Sequence, residues 1–265
     1  MENETQATSF GSVAGSYDRV RPGPAPAAVD WLLPDGCQVA VDLAAGTGLF
    51  TRALLGRVPE IIAVEPDERM RDVLAAATPE VRVLAGRGEE LPLPDASADA
   101  LFISTAWHWL DPALAVPEIA RVLRDGGRLG VVWTSRDRTP DWVAELDLLR
   151  LPGRQGATVD LDLGEPSTLA EVRAQLDRHH EVALPPGSPL RDVEVSSFGF
   201  SRTMALPDAV AWLATSSAII TASPAEKEAG LAQCRAALEP RADSGGRIDI
   251  PLRSWCWRAD RAPRA

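Results

Sequence analysis

Residues Val39–Gly48 read VAVDLAAGTG. The first five are a short apolar run carrying one acid, and a helical pattern follows from about Leu49 to Arg57, so the segment predicts strand, tight turn, helix. Gly46 and Gly48 lie in the turn, where backbone can approach a ligand closely and the helix start offers unpaired N–H groups. A turn needed only for packing is the alternative. A second strand, Ile61–Val64, ends on Glu65, 23 positions after Asp42. That is close to the spacing of about 20 at which an acid meets ribose hydroxyls in nucleotide-binding βαβ units. Turn and acid together point to a nucleoside ligand.

Outward from this unit the alternation continues. DERMRDVLAAA (67–77) reads as a helix, with Met70, Val73 and Leu74 at helical spacing. Strands are predicted at Val81–Leu84 and at Ala100–Ser104; PALAVPEIARVLRDGG then reads as a helix stopped by Gly126 and Gly127, and RLGVVW as a fifth strand. Short strands alternating with helices predict a doubly wound, mainly parallel α/β sheet. Residues 151–190 show no sustained periodicity apart from a helix pattern at Thr168–His179. Beyond them VEVSSFGF and RIDIPLRSWCWRAD read as strands that pair antiparallel at the sheet edge. PDAVAWLATSSAI and PAEKEAGLAQCRAAL, between them, read as lid helices.

Composition narrows the function. The 265 residues carry 27 Lys+Arg against 38 Asp+Glu, a net charge of -11, with a pI near 4.8. Such a balance disfavours the counterion-releasing attraction on which nucleic-acid binding rests. Three widely spaced cysteines, Cys37, Cys234 and Cys256, suggest neither a disulfide framework nor a zinc site, and His179 and His180 lack partners at metal-ligand spacing; no metal is expected. The start, MENETQATSF, has no signal-peptide pattern, and the longest uncharged stretch, Ala209–Ala225, is too polar for a membrane span. The expectation is a soluble, cytoplasmic protein with no membrane partner. Lys227 is the single lysine, which reads as the coding bias of a GC-rich bacterial genome.

Two nucleoside classes compete for the turn. A nicotinamide or flavin dinucleotide prefers G-x-G-x-x-G, and Thr51 stands where the third glycine belongs. S-adenosylmethionine has ribose and adenine but no pyrophosphate, so the turn need only admit its amino-acid end. The sequence resembles the class I S-adenosylmethionine-dependent methyltransferases, particularly the small-molecule (type 11) group that includes trans-aconitate methyltransferase-like proteins. The resemblance runs from FGSVAGSYDRVRPGPAP (Phe10–Pro26) through VDLAAGTG, AVEPDERM, GRGEELPLPDASAD and TAWHWLD to RVLRDGGRLGVVW, and IPLRSWCWR looks like the family's last strand.

The resemblance implies a Rossmann-like sheet with an antiparallel edge and a helical lid in one domain over 1–265. Its parts would be an N-terminal helical cap over 1–35, a cofactor-binding half over 36–140, an irregular insertion over 141–190, and lid helices with terminal strands over 191–265. It also implies that Asp42, Ala44, Gly46, Thr47 and Gly48 surround the methionine part of the cofactor and that Glu65, followed by Pro66, holds both ribose hydroxyls. Met70 would lie along the adenine, Gly88 and Glu89 at the adenine edge, and Thr105 with Ala106 at the floor. One departure stands out: the family often has glycine where Ala44 and Ala45 stand, and a methyl group at Ala44 would crowd the cofactor.

Tyr17, the single tyrosine, would direct its hydroxyl into the site, and Arg21 would pair with the methionine carboxylate; alternatively both anchor an N-terminal helix to the lid. His108, between Trp107 and Trp109 just past a strand end, stands where ligands gather in open α/β sheets and can take a proton near neutral pH. A structural histidine in an aromatic cluster is the alternative. Tryptophans here and at Trp212 suggest an apolar pocket for a small organic acceptor, with secondary metabolism as the setting. Three other readings stay open: a cyclase-like use of the cofactor without methyl transfer, a nicotinamide oxidoreductase, and a non-catalytic adenosyl-ligand binder.

Overall fold

A computed structural model describes residues 20–146, 149, 168–170, 181–213 and 222–264. In chain order its elements are α1 (Pro26–Leu32), β1 (Val39–Leu43), α2 (Leu49–Leu54), β2 (Glu60–Val64), α3 (Glu68–Ala77), β3 (Arg82–Leu84) and β4 (Ala98–Ser104). A 3-10 turn over Trp107–Trp109 follows, then α4 (Pro112–Val122), β5 (Leu123–Arg136), α5 (Asp141–Glu145), β6 (Leu190–Ala205), α6 (Leu206–Leu213), α7 (Pro224–Leu238) and β7 (Arg247–Arg261). The strands form one sheet in the order β3-β2-β1-β4-β5-β7-β6. Neighbours are parallel from β3 through β5, and β7 runs antiparallel between β5 and β6. The expected antiparallel edge is therefore present.

β1 is buried along nearly its whole length, as a strand covered on both faces must be. Its alternation sends Val41 and Leu43 into one apolar layer with Ala115, Ile119 and Val122 of α4. Ala40 goes into the opposite layer with Ala28, Leu32, Phe50 and Leu74 of α1, α2 and α3. Helices thus cover both faces. In the second layer Phe50 meets Phe102 of β4 with ring centroids 5.2 Å apart, and burying each ring contributes roughly 2–3 kcal/mol. Gly130 of β5 makes room for this contact, since a Cβ there would lie 2.7 Å from Phe102 Cδ1 and 3.0 Å from Leu32 Cδ2. A third cluster joins Met204, Leu206, Val210, Trp212, Cys234, Leu238, Ile248, Ile250 and Leu252, so α6 and α7 pack against the β6–β7 pair through an apolar core.

Most expected elements fall within a few residues of their predicted ranges, and two need correction. The helix after β4 ends at Val122, before Gly126 and Gly127, because Leu123 turns extended and pairs with Ala98. The two glycines lie inside β5, which advances from Leu123 to Arg128 while β4 advances from Ala98 to Ala100. Gly126 has φ +75° and a Cβ at Gly127 would lie 2.9 Å from the Arg124 carbonyl, so they shape a bulge held by the Arg124–Asp99 ion pair. The helix after the glycine turn is also shorter than expected, six residues instead of nine. Most of the 141–190 insertion, including the Thr168–His179 helix pattern beyond residue 170, lies outside the described residues. Among the described residues no helix is long and apolar enough to cross a membrane.

Candidate active site

Strand order reverses between β1 and β4: β2 and β3 lie to one side of β1 and the later strands to the other. Open α/β sheets bind ligands outside the carboxyl ends of the strands at such a switch point. Both chain exits there are left-handed at residues other than glycine, Ala44 with φ +55° after β1 and Thr105 with φ +57° after β4. Such a conformation costs an L-residue about 1–2 kcal/mol. Ala44 therefore occupies a backbone geometry that suits glycine, which is the position at which the sequence departs from the family pattern.

The glycine turn leaves fewer free donors than expected. Gly46 (φ +56°) donates its N–H to Glu65 Oε2 at 2.9 Å, Gly48 (φ +85°) donates to the Ala45 carbonyl at 2.9 Å, and Ala45 donates to the Val64 carbonyl at 3.2 Å. A pyrophosphate needs several unpaired N–H groups pointing at it; here the Glu65 carboxylate has taken the Gly46 donor and the Ala45 carbonyl the Gly48 donor. What the turn presents instead is acceptor capacity and negative charge.

Glu65 ends β2 buried. Its Oε1 accepts from Asp67 N at 2.9 Å and its Oε2 from Gly46 N at 2.9 Å, so the carboxylate is fixed by backbone while each oxygen keeps a lone pair. Burial pushes its pKa up, and the Asp67 and Gly46 N–H groups oppose that rise. Asp42, near the end of β1 and fully buried, has Oδ2 2.5 Å from the Thr51 hydroxyl, which donates to it. Burial pushes its pKa up to about 7, hydrogen bonding from Thr51 opposes the rise, and the Glu65 charge adds to it. Its Oδ1 and the Thr47 hydroxyl are buried without a hydrogen-bond partner among the described residues. Buried polar atoms without partners are costly, and a ligand carrying donors would satisfy both. A sulfonium with an ammonium group and a ribose fits this set of acceptors and charges; a dinucleotide does not.

The other predicted residues lie before and on α3 and in the segments that follow β3 and β4. Met70 is buried on α3, whose N-terminus Asp67 caps by accepting from Arg69 N at 2.9 Å, and Pro66 is exposed. Gly88 reaches the site for a packing reason, because a Cβ there would lie 2.8 Å from Leu110 Cδ2 and 3.4 Å from Leu43 Cδ2. Glu89 accepts from the N-terminal amide of Asp111 at 3.1 Å, tying its loop to the start of α4. Thr105 donates its N–H to the Val132 carbonyl at 2.7 Å, and Ala106 and Trp107 are buried behind it. His108 is exposed, its ring 4.6 Å from that of Trp109.

Tyr17 lies outside the described residues, as do His179 and His180. The leader is described from Val20. Arg202 of β6 donates to the carbonyls of Val20 and Arg21 at 3.2 and 3.1 Å, and a Cβ at Gly23 would lie 3.8 Å from the Leu49 carbonyl. Arg21 is thus held between β6 and the start of α2. Trp212, expected as a pocket wall, is buried in the third apolar cluster with the Arg136 guanidinium 6.0 Å from its ring. Thr51 is the residue that sequence reasoning missed, having registered only as an absent glycine. The alternation of β1, which turns Asp42 toward α2, is the signal that would have found it.

Comparison with known proteins agrees with this geometry. Residues 41–131 match the methyltransferase domain model, a span that contains the end of β1, the glycine turn, Glu65 and His108. An uncharacterized methyltransferase of Mycobacterium tuberculosis is 49% identical over 165 residues, covering 62% of this chain and 67% of that protein. An uncharacterized methyltransferase-like protein of Schizosaccharomyces pombe is 28% identical over 270 residues, 99% of both chains. In fold, the chain is similar to a solved structure from Anaeromyxobacter dehalogenans provisionally described as a type II methyltransferase. That likeness has a TM-score of 0.64 at 22% identity and covers 92% of this chain and 99% of the other.

Proposed function

The chain belongs to the class I S-adenosylmethionine-dependent methyltransferases, and from that premise we propose that it transfers the cofactor's methyl group to a small organic acceptor. The observation that carries the reading is a glycine turn whose Gly46 N–H is taken by Glu65, beside a buried Asp42 with one carboxylate oxygen left without a partner among the described residues. When bound, the cofactor supplies a methyl carbon already activated by its sulfonium, so no covalent enzyme intermediate is required.

The protein's task is then to bind, orient and exclude water. Glu65, held by the Asp67 and Gly46 amides, would accept both ribose hydroxyls without moving. Asp42, Ala44, Gly46, Thr47 and Gly48 would line the amino-acid end, with negative charge set against its cation. Met70 would pack along the adenine, with Pro66, Gly88 and Glu89 near its edge and Thr105 with Ala106 below. Arg21 and Tyr17 would close the site from the leader. His108, exposed in the turn that follows β4, would take a proton from a hydroxyl or carbon-acid acceptor. A carboxylate or amine acceptor needs positioning alone. The tryptophans of the Trp107–Trp109 turn support a small, partly apolar acceptor.

The deciding experiment incubates the protein with S-adenosylmethionine labelled in its methyl group and a panel of small carboxylates, phenols and amines. Label recovered in an acceptor upholds methyl transfer. An acceptor converted without label would replace it by cyclase-like chemistry, and cofactor binding with no conversion of any acceptor would favour a non-catalytic binder.

A further inference from the structure

We infer that Thr51 is a positioning residue for the amino-acid end of the cofactor, its hydroxyl fixing Asp42 so that one carboxylate oxygen is held by the protein and the other is kept for the ligand's cation. The inference rests on S-adenosylmethionine being the cofactor. Thr51 is fully buried in the first turn of α2, between Phe50 and the rest of a helix that packs into an apolar layer. Valine has the same shape and would suit that packing; the hydroxyl is explained by Asp42, 2.5 Å away.

The consequence is an asymmetric carboxylate. Oδ2 is satisfied by Thr51, whereas Oδ1 is buried and lacks a partner among the described residues, as does the neighbouring Thr47 hydroxyl. Glu65, the residue after Val64 of β2, which pairs with Leu43 of β1, stands at the ribose position of a βαβ nucleoside site. The amino-acid substituent of a nucleoside held at that position would be held by Asp42 at the end of β1. An N–H donor carrying positive charge both fills the vacant acceptor and compensates a carboxylate that burial otherwise pushes toward its neutral form. Hydrogen bonds donated to a carboxylate favour its charged state, so Thr51 opposes the shift of Asp42 toward the neutral acid. Losing the hydroxyl would free the Asp42 rotamer and shift it further toward the neutral acid.

The test is isothermal titration of the wild type, Thr51→Ser and Thr51→Val with S-adenosylmethionine and with 5′-methylthioadenosine, which shares the adenosine and lacks the amino-acid end. Thr51→Val is expected to weaken S-adenosylmethionine about tenfold, the loss typical of one hydrogen bond to a charged group. It should leave methylthioadenosine within about twofold, while Thr51→Ser stays near wild type for both ligands. The pH below which S-adenosylmethionine affinity falls should move upward in Thr51→Val and return in Thr51→Ser. Equal losses for both ligands would make Thr51 merely structural and overturn the inference, as would no loss for either. If Thr51→Val binds neither nucleoside, Thr51→Ala against Thr51→Ser decides: selective loss of S-adenosylmethionine in the alanine variant upholds the role, and equal affinities reject it. A wild type that binds methylthioadenosine but not S-adenosylmethionine overturns the cofactor assignment and this role with it.

Discussion

Replacing Asp42 by asparagine should stabilise the cofactor-free protein above neutral pH while weakening cofactor binding. The Asp42 pKa rises from the ordinary 3.8 to about 7 because folding buries the carboxyl. A raised folded pKa means that the native state holds this proton between those two values while the unfolded chain has lost it. Stability contributed by the neutral acid is therefore fully present below pH 3.8, falls as pH climbs toward 7, and is gone above it. At about 1.4 kcal/mol per pH unit the loss is about 4 kcal/mol. Asparagine keeps the shape without the charge, and its extra N–H has no ready acceptor near the vacant Oδ1 position, a cost of about 1–3 kcal/mol. The net gain above pH 7.5 is then about 2 kcal/mol, or roughly 4–8 °C in Tm at about 2–4 °C per kcal/mol for a chain of this size. Near pH 4.5 the wild-type carboxyl is neutral as well, so the gain should vanish or reverse. Thermal unfolding by circular dichroism at pH 4.5, 6, 7 and 8 reads the difference directly. A Tm difference that stays constant across this range, or an Asp42→Asn variant less stable at pH 8 than at pH 4.5 relative to wild type, would refute the buried, proton-linked carboxylate.

Other perturbations reach different parts of the structure. Ala44→Gly removes the cost of φ +55° and should raise stability by about 1 kcal/mol, measured by urea unfolding; an unchanged midpoint would mean that Ala44 is unstrained. Gly130→Ala pushes a methyl to within 2.7 Å of Phe102 and should destabilise by about 1–3 kcal/mol, so a wild-type Tm would contradict the packing described. If His108 is the proton acceptor, His108→Ala should lower turnover about 100-fold or more on a hydroxyl acceptor with the Kd of S-adenosylmethionine unchanged. An equal rate in the two proteins would return His108 to a structural place beside Trp109.

What was legible in the sequence was what is local. VAVDLAAGTG announced strand, turn and helix because apolar run, glycines and helical spacing sit side by side, and Glu65 was found because β2 begins soon after α2. The end of α4 was misjudged because Gly126 and Gly127 look like a helix stop; what ends that helix is the pairing of Leu123 with Ala98, 25 residues away. Thr51 and Gly130 were invisible for a related reason. Each acts through a residue brought beside it by the fold, Asp42 in one case and Phe102 with Leu32 in the other, and no spacing rule along the chain pairs them. The glycines predict a turn with free N–H groups, whereas that of Gly46 is occupied by Glu65 and that of Gly48 by the Ala45 carbonyl. That occupation changes the charge a ligand must carry.

The most direct measurement is titration of S-adenosylmethionine, and separately NAD, into the wild type and into Glu65→Ala by calorimetry. Saturable binding of S-adenosylmethionine to the wild type, lost or weakened by about 100-fold in Glu65→Ala, with no heat from NAD, is the expected result. Undiminished binding in Glu65→Ala, or saturable binding of NAD in place of S-adenosylmethionine, would contradict it.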